Sequence, residues 1–128
     1  MTVVVDASAI LAVLNDESGQ DVVIERLDEA AISVVNLAEV IAALIAKGKT
    51  EGQARMAMRA LGCAVVEADE ELGIDTGILR KLTQPAGLSL GDRFCLALAR
   101  RLGVAVLTAD QSWSRVADAC GVQVRQIR

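Results

Sequence analysis

The chain has 128 residues, of which 53% are hydrophobic and 23% are charged, and its formal net charge is −4. These values predict one soluble globular domain, residues 1–128, whose hydrophobic core is large enough to be stable without disulfides or a structural metal. A surface that binds nucleic acid non-specifically is usually basic, so the acidic balance disfavours such binding, although a cluster of acids that holds a metal would also add negative charge. No apolar run approaches the roughly 20 residues that span a bilayer, and the N-terminus lacks the features of a signal peptide. A cytoplasmic protein without membrane contact is therefore expected.

The chain contains no histidine and no tyrosine. Without histidine, Ser-His-Asp triads, Cys-His dyads, histidine-based ribonuclease chemistry and the commoner zinc sites are excluded. The cysteines, Cys63, Cys95 and Cys120, form no C-x-x-C pair and are expected to be buried, reduced thiols. Any chemistry must therefore come from carboxylates, together with a metal that they hold.

Short β-branched runs alternate with amphipathic helical stretches, the pattern of an α/β fold with a parallel sheet. The first half predicts a strand at 2–5, helices at 7–14 and 19–30, a strand at 31–34 and a helix capped by Ser33 and ended by Gly48. The second half predicts a helix that begins with a capping box at Thr50 and ends at about 61, a strand at 63–67 and a helix at about 70–82. A further helix begins with a capping box of Ser89 and Asp92 and ends at 102. A strand at 104–107, a short helix around 113–119 and a strand at 122–124 complete the chain.

Four acids follow these elements in a pattern that suggests one site. Asp6 and Asp110 come directly after predicted buried strands. Ligands of open parallel sheets bind at the carboxyl ends of the strands, where the strand order reverses. If the first and fourth strands are neighbours, both acids face one crevice. Glu39 lies two turns into the helix after the second strand, and Asp92 lies in the first turn of the helix that leads to the fourth.

Three of the four acids also have a simpler explanation when each is taken alone. Asp92 complements a helix dipole, and Asp6 and Asp110 occupy positions typical of caps and turns. Glu39 is expected to be buried on an apolar helix, where a carboxylate is costly unless it is paired or metal-bound. Converging carboxylates repel one another and need a cation, and oxygen ligands select hard ions such as Mg²⁺ or Mn²⁺. Such ions suit the hydrolysis of phosphodiesters.

Four motifs resemble one known family: VVVDASAILA at the N-terminus, SVVNLAEV around Glu39, SLGDRFCLALA around Asp92 and VLTAD ending at Asp110. They are similar, in the same order along the chain, to the motifs of PIN-domain nucleases, and most closely to the VapC-type toxins of bacterial toxin–antitoxin pairs. The resemblance implies a PIN-like three-layer α/β/α sandwich with a central parallel sheet of about five strands. It also implies an endoribonuclease that uses Mg²⁺ or Mn²⁺, held by Asp6, Glu39, Asp92 and Asp110, with no other cofactor.

The resemblance further implies supporting residues and partners. Ser8 and Thr108 match polar residues that orient acids or water, and Asn36 either helps to hold the site or serves the helix start. Some PIN domains carry a further acid where this chain has Gln111 and Ser112, so a second metal is expected to be weakly held or recruited with substrate. VapC-like proteins are typically homodimers neutralised by a VapB antitoxin, whose C-terminal tail covers the acidic site, and both are expected here.

Basic and aromatic residues are candidates for RNA contacts. Arg55 and Arg59 share a helical face and Arg93 adjoins Asp92, so these arginines are candidate RNA contacts. Solvated surface charge is the commoner explanation for the first two, and Arg93 is also placed to pair with a site acid. Trp113 is either a platform for a base or, as is commoner for a lone tryptophan, the anchor of a helix in the core.

Other functions stay open. An aspartate-nucleophile phosphatase would use Asp6, but it also needs a second aspartate where this chain has Ser8, and a late lysine. A degenerate PIN-like module that binds an antitoxin without catalysis is disfavoured by the presence of all four acids. A nuclease for RNA processing outside a toxin system would have the same site and a different substrate.

Overall fold

Five strands and seven helices make up the structure, a computed structural model that describes residues 1–128. The strands are β1 (Val3–Val5), β2 (Ala30–Ser33), β3 (Ala64–Val66), β4 (Ala105–Thr108) and β5 (Val124–Gln126). The helices are α1 (Ala7–Leu14), α2 (Gln20–Ile24), α3 (Val34–Ala46), α4 (Glu51–Leu61), α5 (Glu70–Thr83), α6 (Leu90–Leu102) and α7 (Ala117–Cys120). None of these helices is both long and apolar enough to cross a membrane.

All five strands are parallel and lie in the order β3-β2-β1-β4-β5. Val3 of β1 is opposite Ala30 of β2 on one side and Ala105 of β4 on the other. The chain builds the sheet outward from β1 to β3, then returns to the other side of β1 for β4 and β5. The first and fourth strands are therefore neighbours, as predicted, and their carboxyl ends meet where the strand order reverses.

Two apolar cores cover the two faces of the sheet, because side chains alternate along each strand. Val3 and Val5 belong to the core that contains residues of α1, α2, α3 and α4. Val4 belongs to the core that contains residues of α5, α6 and α7. This arrangement confirms the predicted three-layer α/β/α sandwich. Trp113 has 0% of its surface exposed in the second core, so it is an anchor and not a platform for bases.

The second predicted helix is too long. The prediction of one helix at 19–30 is wrong, because α2 ends at Ile24 and a 3₁₀ turn follows at Leu27–Glu29. Ala30 already pairs with Val3 in the sheet, so the chain has to leave the helical path before it. The pairing of strands thus overrides a helical pattern that continues in the sequence.

The C-terminal elements also differ from the prediction. The helix predicted around 113–119 is a 3₁₀ turn at Gln111–Arg115 followed by the short helix α7. The last strand begins two residues later than predicted, because Val124 is the residue that pairs with Val106 of β4. The other predicted elements agree with the structure to within about two residues at each end.

The three cysteines are free thiols, as predicted. Cys95 and Cys120 are buried, whereas Cys63 is only half-buried, which corrects the expectation that all three are buried. Burial raises the pKa of all three thiols, so none is prepared to act as a nucleophile.

Candidate active site

Asp6 is the buried centre of the candidate site, with 4% of its surface exposed. It directly follows β1 and caps α1, where its Oδ1 accepts a hydrogen bond of 2.8 Å from the Ala9 N–H. The Ser8 hydroxyl donates to Oδ1 at 2.7 Å, and the Thr108 hydroxyl donates to Oδ2 at 2.6 Å. The carboxylate is therefore fixed from both sides, by α1 and by the end of β4.

The surroundings of Asp6 disfavour its charged form. Burial is the largest effect and raises the pKa of Asp6 from 3.8 to about 6. Hydrogen bonds from Thr108, Ser8 and the Ala9 N–H lower this pKa, and the negative charge of Asp92 raises it. The carboxylate is thus pre-oriented but short of positive charge, a condition that a cation would relieve.

Asp92 serves the start of α6. Its Oδ2 accepts a hydrogen bond of 3.0 Å from the Ser89 N–H, and the Ser89 hydroxyl accepts one of 3.2 Å from the Asp92 N–H. These two bonds form the predicted capping box, which is confirmed. Only one of the two carboxylate oxygens takes part in the box, so the other is free for a second role.

Asp110 is exposed directly beyond β4. Its N–H donates to the Thr108 hydroxyl at 3.0 Å, which ties its backbone to the group that holds Asp6. Its Oδ1 accepts hydrogen bonds from the N–H and the hydroxyl of Ser112, at 2.9 and 2.6 Å. From β5, the Gln126 side chain donates to the Asp110 carbonyl at 2.8 Å.

The carboxylate of Glu39 lies between α3 and α6. Asn36 donates from Nδ2 both to Glu39 Oε1 at 2.6 Å and to the Gly91 carbonyl at 3.1 Å. Glu39 is exposed, so the expectation that it is buried is wrong. Ala42 and Ile45 of the same helix are exposed too, and the apolar composition of α3 therefore did not mean that every face is covered.

Three of the four acids act electrostatically on the same buried thiol, that of Cys95. The pKa of the Cys95 thiol is raised well above its ordinary value, first by burial and then by the charges of Asp6, Asp92 and Glu39. No three acidic or cysteine side chains are close enough together to hold one metal ion between them. The oxygen-only donor set fits a hard divalent ion, but the carboxylates would have to draw together around it.

The arginines predicted to contact RNA lie in two different places. Arg55 and Arg59 are exposed on α4, beside a groove between α3 and α4, and Arg55 forms an exposed ion pair with Glu51. Arg93 has 9% of its surface exposed and donates from Nη1 to the Thr76 carbonyl of α5 at 3.3 Å. Arg93 therefore packs between helices and pairs with no site acid.

No motif had indicated Ser112 or Gln126 as parts of the site. A residue two positions after an aspartate often closes an Asx turn, so a local signal for Ser112 existed. Gln126 has no local signal, because it reaches Asp110 only through the pairing of β5 with β4, in which Thr108 is opposite Gln126.

The fold and the acids define an α/β domain with a carboxylate site at the switch point of its parallel sheet. The chain belongs to the PIN domain family, whose sequence model matches residues 3–119. No curated protein matches the chain in sequence.

Solved structures of toxin–antitoxin proteins share the fold. A toxin–antitoxin complex from Klebsiella pneumoniae is 16% identical, with a TM-score of 0.77 over 99% of this chain and 98% of that chain. VapBC2 from Rickettsia felis, bound to a DNA fragment from its promoter, is 16% identical, with a TM-score of 0.75 over 98% of both chains. VapC20 from Mycobacterium tuberculosis, a Sarcin-Ricin loop cleaving toxin, is 18% identical, with a TM-score of 0.72 over 89% of this chain and 94% of that chain. The predicted PIN-like fold and family resemblance are confirmed.

Proposed function

We propose that this protein is a metal-dependent endoribonuclease that acts in the cytoplasm as the VapC-like toxin of a toxin–antitoxin pair. The observation that carries the proposal is the position of Asp6, fixed at the switch point of the sheet and sharing its surroundings with Asp92. Membership of the PIN domain family and the likeness in fold to an RNA-cleaving toxin support it.

Asp6, Glu39, Asp92 and Asp110 are the residues that would hold Mg²⁺ or Mn²⁺. Such an ion supplies an activated water at neutral pH and offsets the charge of the phosphate under attack. The chain has no histidine to act as a general base, which is consistent with activation of the water by the ion.

The supporting residues keep the acids in place before any ligand arrives. Ser8 and Thr108 each direct a hydroxyl proton at one oxygen of Asp6, so both oxygens keep a defined orientation. Asn36 does the same for Glu39 from the buried side of α3. Residues that orient metal ligands in this way typically contribute 10–100-fold to affinity or activity.

The test is cleavage of total bacterial RNA by the purified protein with Mg²⁺ or Mn²⁺, with and without a chelator. Asp92→Asn is the informative variant, because asparagine still accepts a hydrogen bond from the Ser89 N–H while the charge is lost. Asp69→Asn is the control, since Asp69 also accepts a backbone hydrogen bond at a helix start, from the Leu72 N–H of α5, and is not one of the site acids. New fragments are expected from wild type and Asp69→Asn and from neither Asp92→Asn nor the chelated enzyme. Fragments that persist in Asp92→Asn would contradict the assignment.

We also propose a VapB-like antitoxin as partner. The structural neighbours include toxins solved together with their antitoxins, which supports this. The groove between α3 and α4 has a volume of about 530 Å³ and apolar walls that include Leu37, Ile41 and Met58. Co-expression of the cognate antitoxin should relieve growth arrest caused by this protein. It should fail to do so for Val65→Glu if the antitoxin uses this groove, because Val65 lines the groove and is 47% exposed.

We propose that the protein is a homodimer. The exposed residues Ile74, Ile78 and Leu82 are spaced by about one turn on α5, and the exposed fractions of the two isoleucines are 48% and 63%. An apolar stripe of this kind on a helix is suited to contact with a second copy. Light scattering, which gives the mass of the particle in solution, tests the proposal.

The alternative of a non-catalytic PIN module draws support from the separation of the acids, no three of which are close enough to share an ion. Calorimetric titration with Mn²⁺ decides between the two. Binding that is lost in Asp92→Asn supports the nuclease, and the absence of any binding favours the non-catalytic module.

A further inference from the structure

Gly91, in the first turn of α6, lies directly against the Glu39 carboxylate. A Cβ atom added to Gly91 would be 2.6 Å from both Glu39 carboxylate oxygens and 2.7 Å from the carbon between them. Distances below 3.0 Å are essentially never seen for real Cβ atoms. Any side chain at this position would therefore displace the Glu39 carboxylate from its place.

Asn36 holds the Glu39 carboxylate in this narrow space. Its amide nitrogen donates at once to Glu39 Oε1 and to the Gly91 carbonyl, so one side chain joins the acid to the first turn of α6. The amide is itself oriented, because Asn36 has 1% of its surface exposed and its Oδ1 accepts a hydrogen bond of 2.8 Å from the Ser33 hydroxyl. Because Glu39 is exposed, a Cβ atom on Gly91 would push its carboxylate away from the Asn36 amide toward solvent.

The backbone of α6 does not itself require glycine at this position. Gly91 is not among the residues with positive φ, and glycine inside a helix costs about 0.5–1 kcal/mol relative to alanine. Three other helical glycines, Gly52, Gly73 and Gly77, have nothing within 4 Å of an added Cβ. The contact with Glu39 thus sets Gly91 apart from them.

We propose that Gly91 is a positioning residue for Glu39. The missing side chain leaves the space in which the acid of α3 rests beside the first turn of α6, one residue away from Asp92. This inference rests on the proposed function, in which Glu39 and Asp92 hold the same ion.

The test compares Gly91→Ala with Gly77→Ala in the full chain. Both variants should fold with melting temperatures equal to or above that of wild type, because alanine is the better helix former. Titration calorimetry with Mn²⁺ should give an affinity at least tenfold weaker for Gly91→Ala and within twofold of wild type for Gly77→Ala. In a Glu39→Gln background, Gly91→Ala should cause no further loss, because it acts through Glu39.

A readout without metal separates this inference from the proposed function. The side-chain amide signals of Asn36 in a ¹⁵N-correlation NMR spectrum should move in Gly91→Ala as they do in Glu39→Gln, and stay in place in Gly77→Ala. If these signals do not move, or if the affinity penalty persists in the Glu39→Gln background, the positioning role is overturned. A wild-type protein that binds no Mn²⁺ while the Asn36 signals still respond would overturn the metal-dependent function and leave the positioning role supported.

Discussion

The Thr108 hydroxyl joins the two acids that follow β1 and β4. It donates to Asp6 Oδ2 at 2.6 Å and accepts a hydrogen bond of 3.0 Å from the Asp110 N–H. Thr108 is fully buried at the end of β4 and is opposite Gln126, whose side chain holds the Asp110 carbonyl. The sheet therefore sets the spacing of the two acids through one hydroxyl group.

Replacing Thr108 by valine keeps the shape of the side chain and removes this link. We expect Thr108→Val to weaken Mn²⁺ binding and RNA cleavage by about 10–100-fold, because Asp6 loses the shorter of its two Oδ2 hydrogen bonds. The free energy of unfolding should fall by about 1–3 kcal/mol, since the Asp110 N–H also loses its acceptor.

Thr76→Val is the matched control for this substitution. The Thr76 hydroxyl is buried on α5 and has no hydrogen-bond partner, so its removal breaks nothing. By chemical unfolding, Thr76→Val should be at least as stable as wild type. By calorimetry, its affinity for the ion should be unchanged. If both valine variants behave alike, the Thr108 hydroxyl does not organise the site.

The pKa of Asp6 predicts how the stability of the metal-free protein depends on pH. A folded-state pKa of about 6, raised from 3.8 by burial, means that the folded protein binds this proton more tightly than the unfolded chain. Stability is therefore lost as pH rises from 3.8 to about 6, and the loss is complete above that range. A shift of this size corresponds to about 3 kcal/mol at most.

Asp6→Asn removes the buried charge and keeps an acceptor for the cap of α1. In a chelator at pH 7.5 we expect this variant to be about 1–3 kcal/mol more stable than wild type, although it binds no ion. Urea unfolding at several pH values is the measurement, and the advantage should shrink as the pH approaches 4. An advantage that is the same at every pH would mean that the charge of Asp6 is not its source.

The local parts of the fold and site could be predicted from the sequence because each depends on neighbouring residues. Asp6 and Asp110 follow buried strands, and parallel topology brings the ends of such strands together. The capping box of Ser89 and Asp92 needs only two residues three positions apart. These features do not depend on how distant helices pack.

Features that depend on distant partners could not be predicted. The exposure of Glu39 depends on which face of α3 the other helices cover, and composition does not carry that information. The contact of Glu39 with Gly91 joins two helices that are far apart in the chain. Arg93 adjoins a site acid in sequence, yet its guanidinium turns to the Thr76 carbonyl, because its direction on α6 is set by the packing of α5.

A second pH dependence comes from the ion pair that joins the start of α5 to the end of α6. Arg101 donates two hydrogen bonds of 3.0 Å to the Asp69 carboxylate, and these bonds are the main reason that the pKa of Asp69 is lowered from 3.8. A lowered pKa stabilises the fold above the ordinary value and loses this effect as the pH falls. Asp69→Asn should therefore be slightly less stable than wild type at pH 7, by a margin that shrinks below about pH 4 and in high salt. Thermal unfolding of both proteins at pH 7 and below about pH 4 measures this margin in stability. A margin that grows in acid would show that the Asp69 carboxylate does not stabilise the fold through Arg101.

The proposed homodimer predicts that a charge on the apolar stripe of α5 separates the subunits. Ile78 is the most exposed of the three stripe residues, and Ile78→Asp would bury an unpaired carboxylate in the contact between two copies. Light scattering should give the mass of a dimer for wild type and that of a monomer for the variant. Met56→Asp is the control, because Met56 is 72% exposed on α4, away from the stripe, and should leave the dimer intact. Loss of the dimer in Met56→Asp with retention in Ile78→Asp would move the contact to α4, and a monomeric wild type would refute the homodimer.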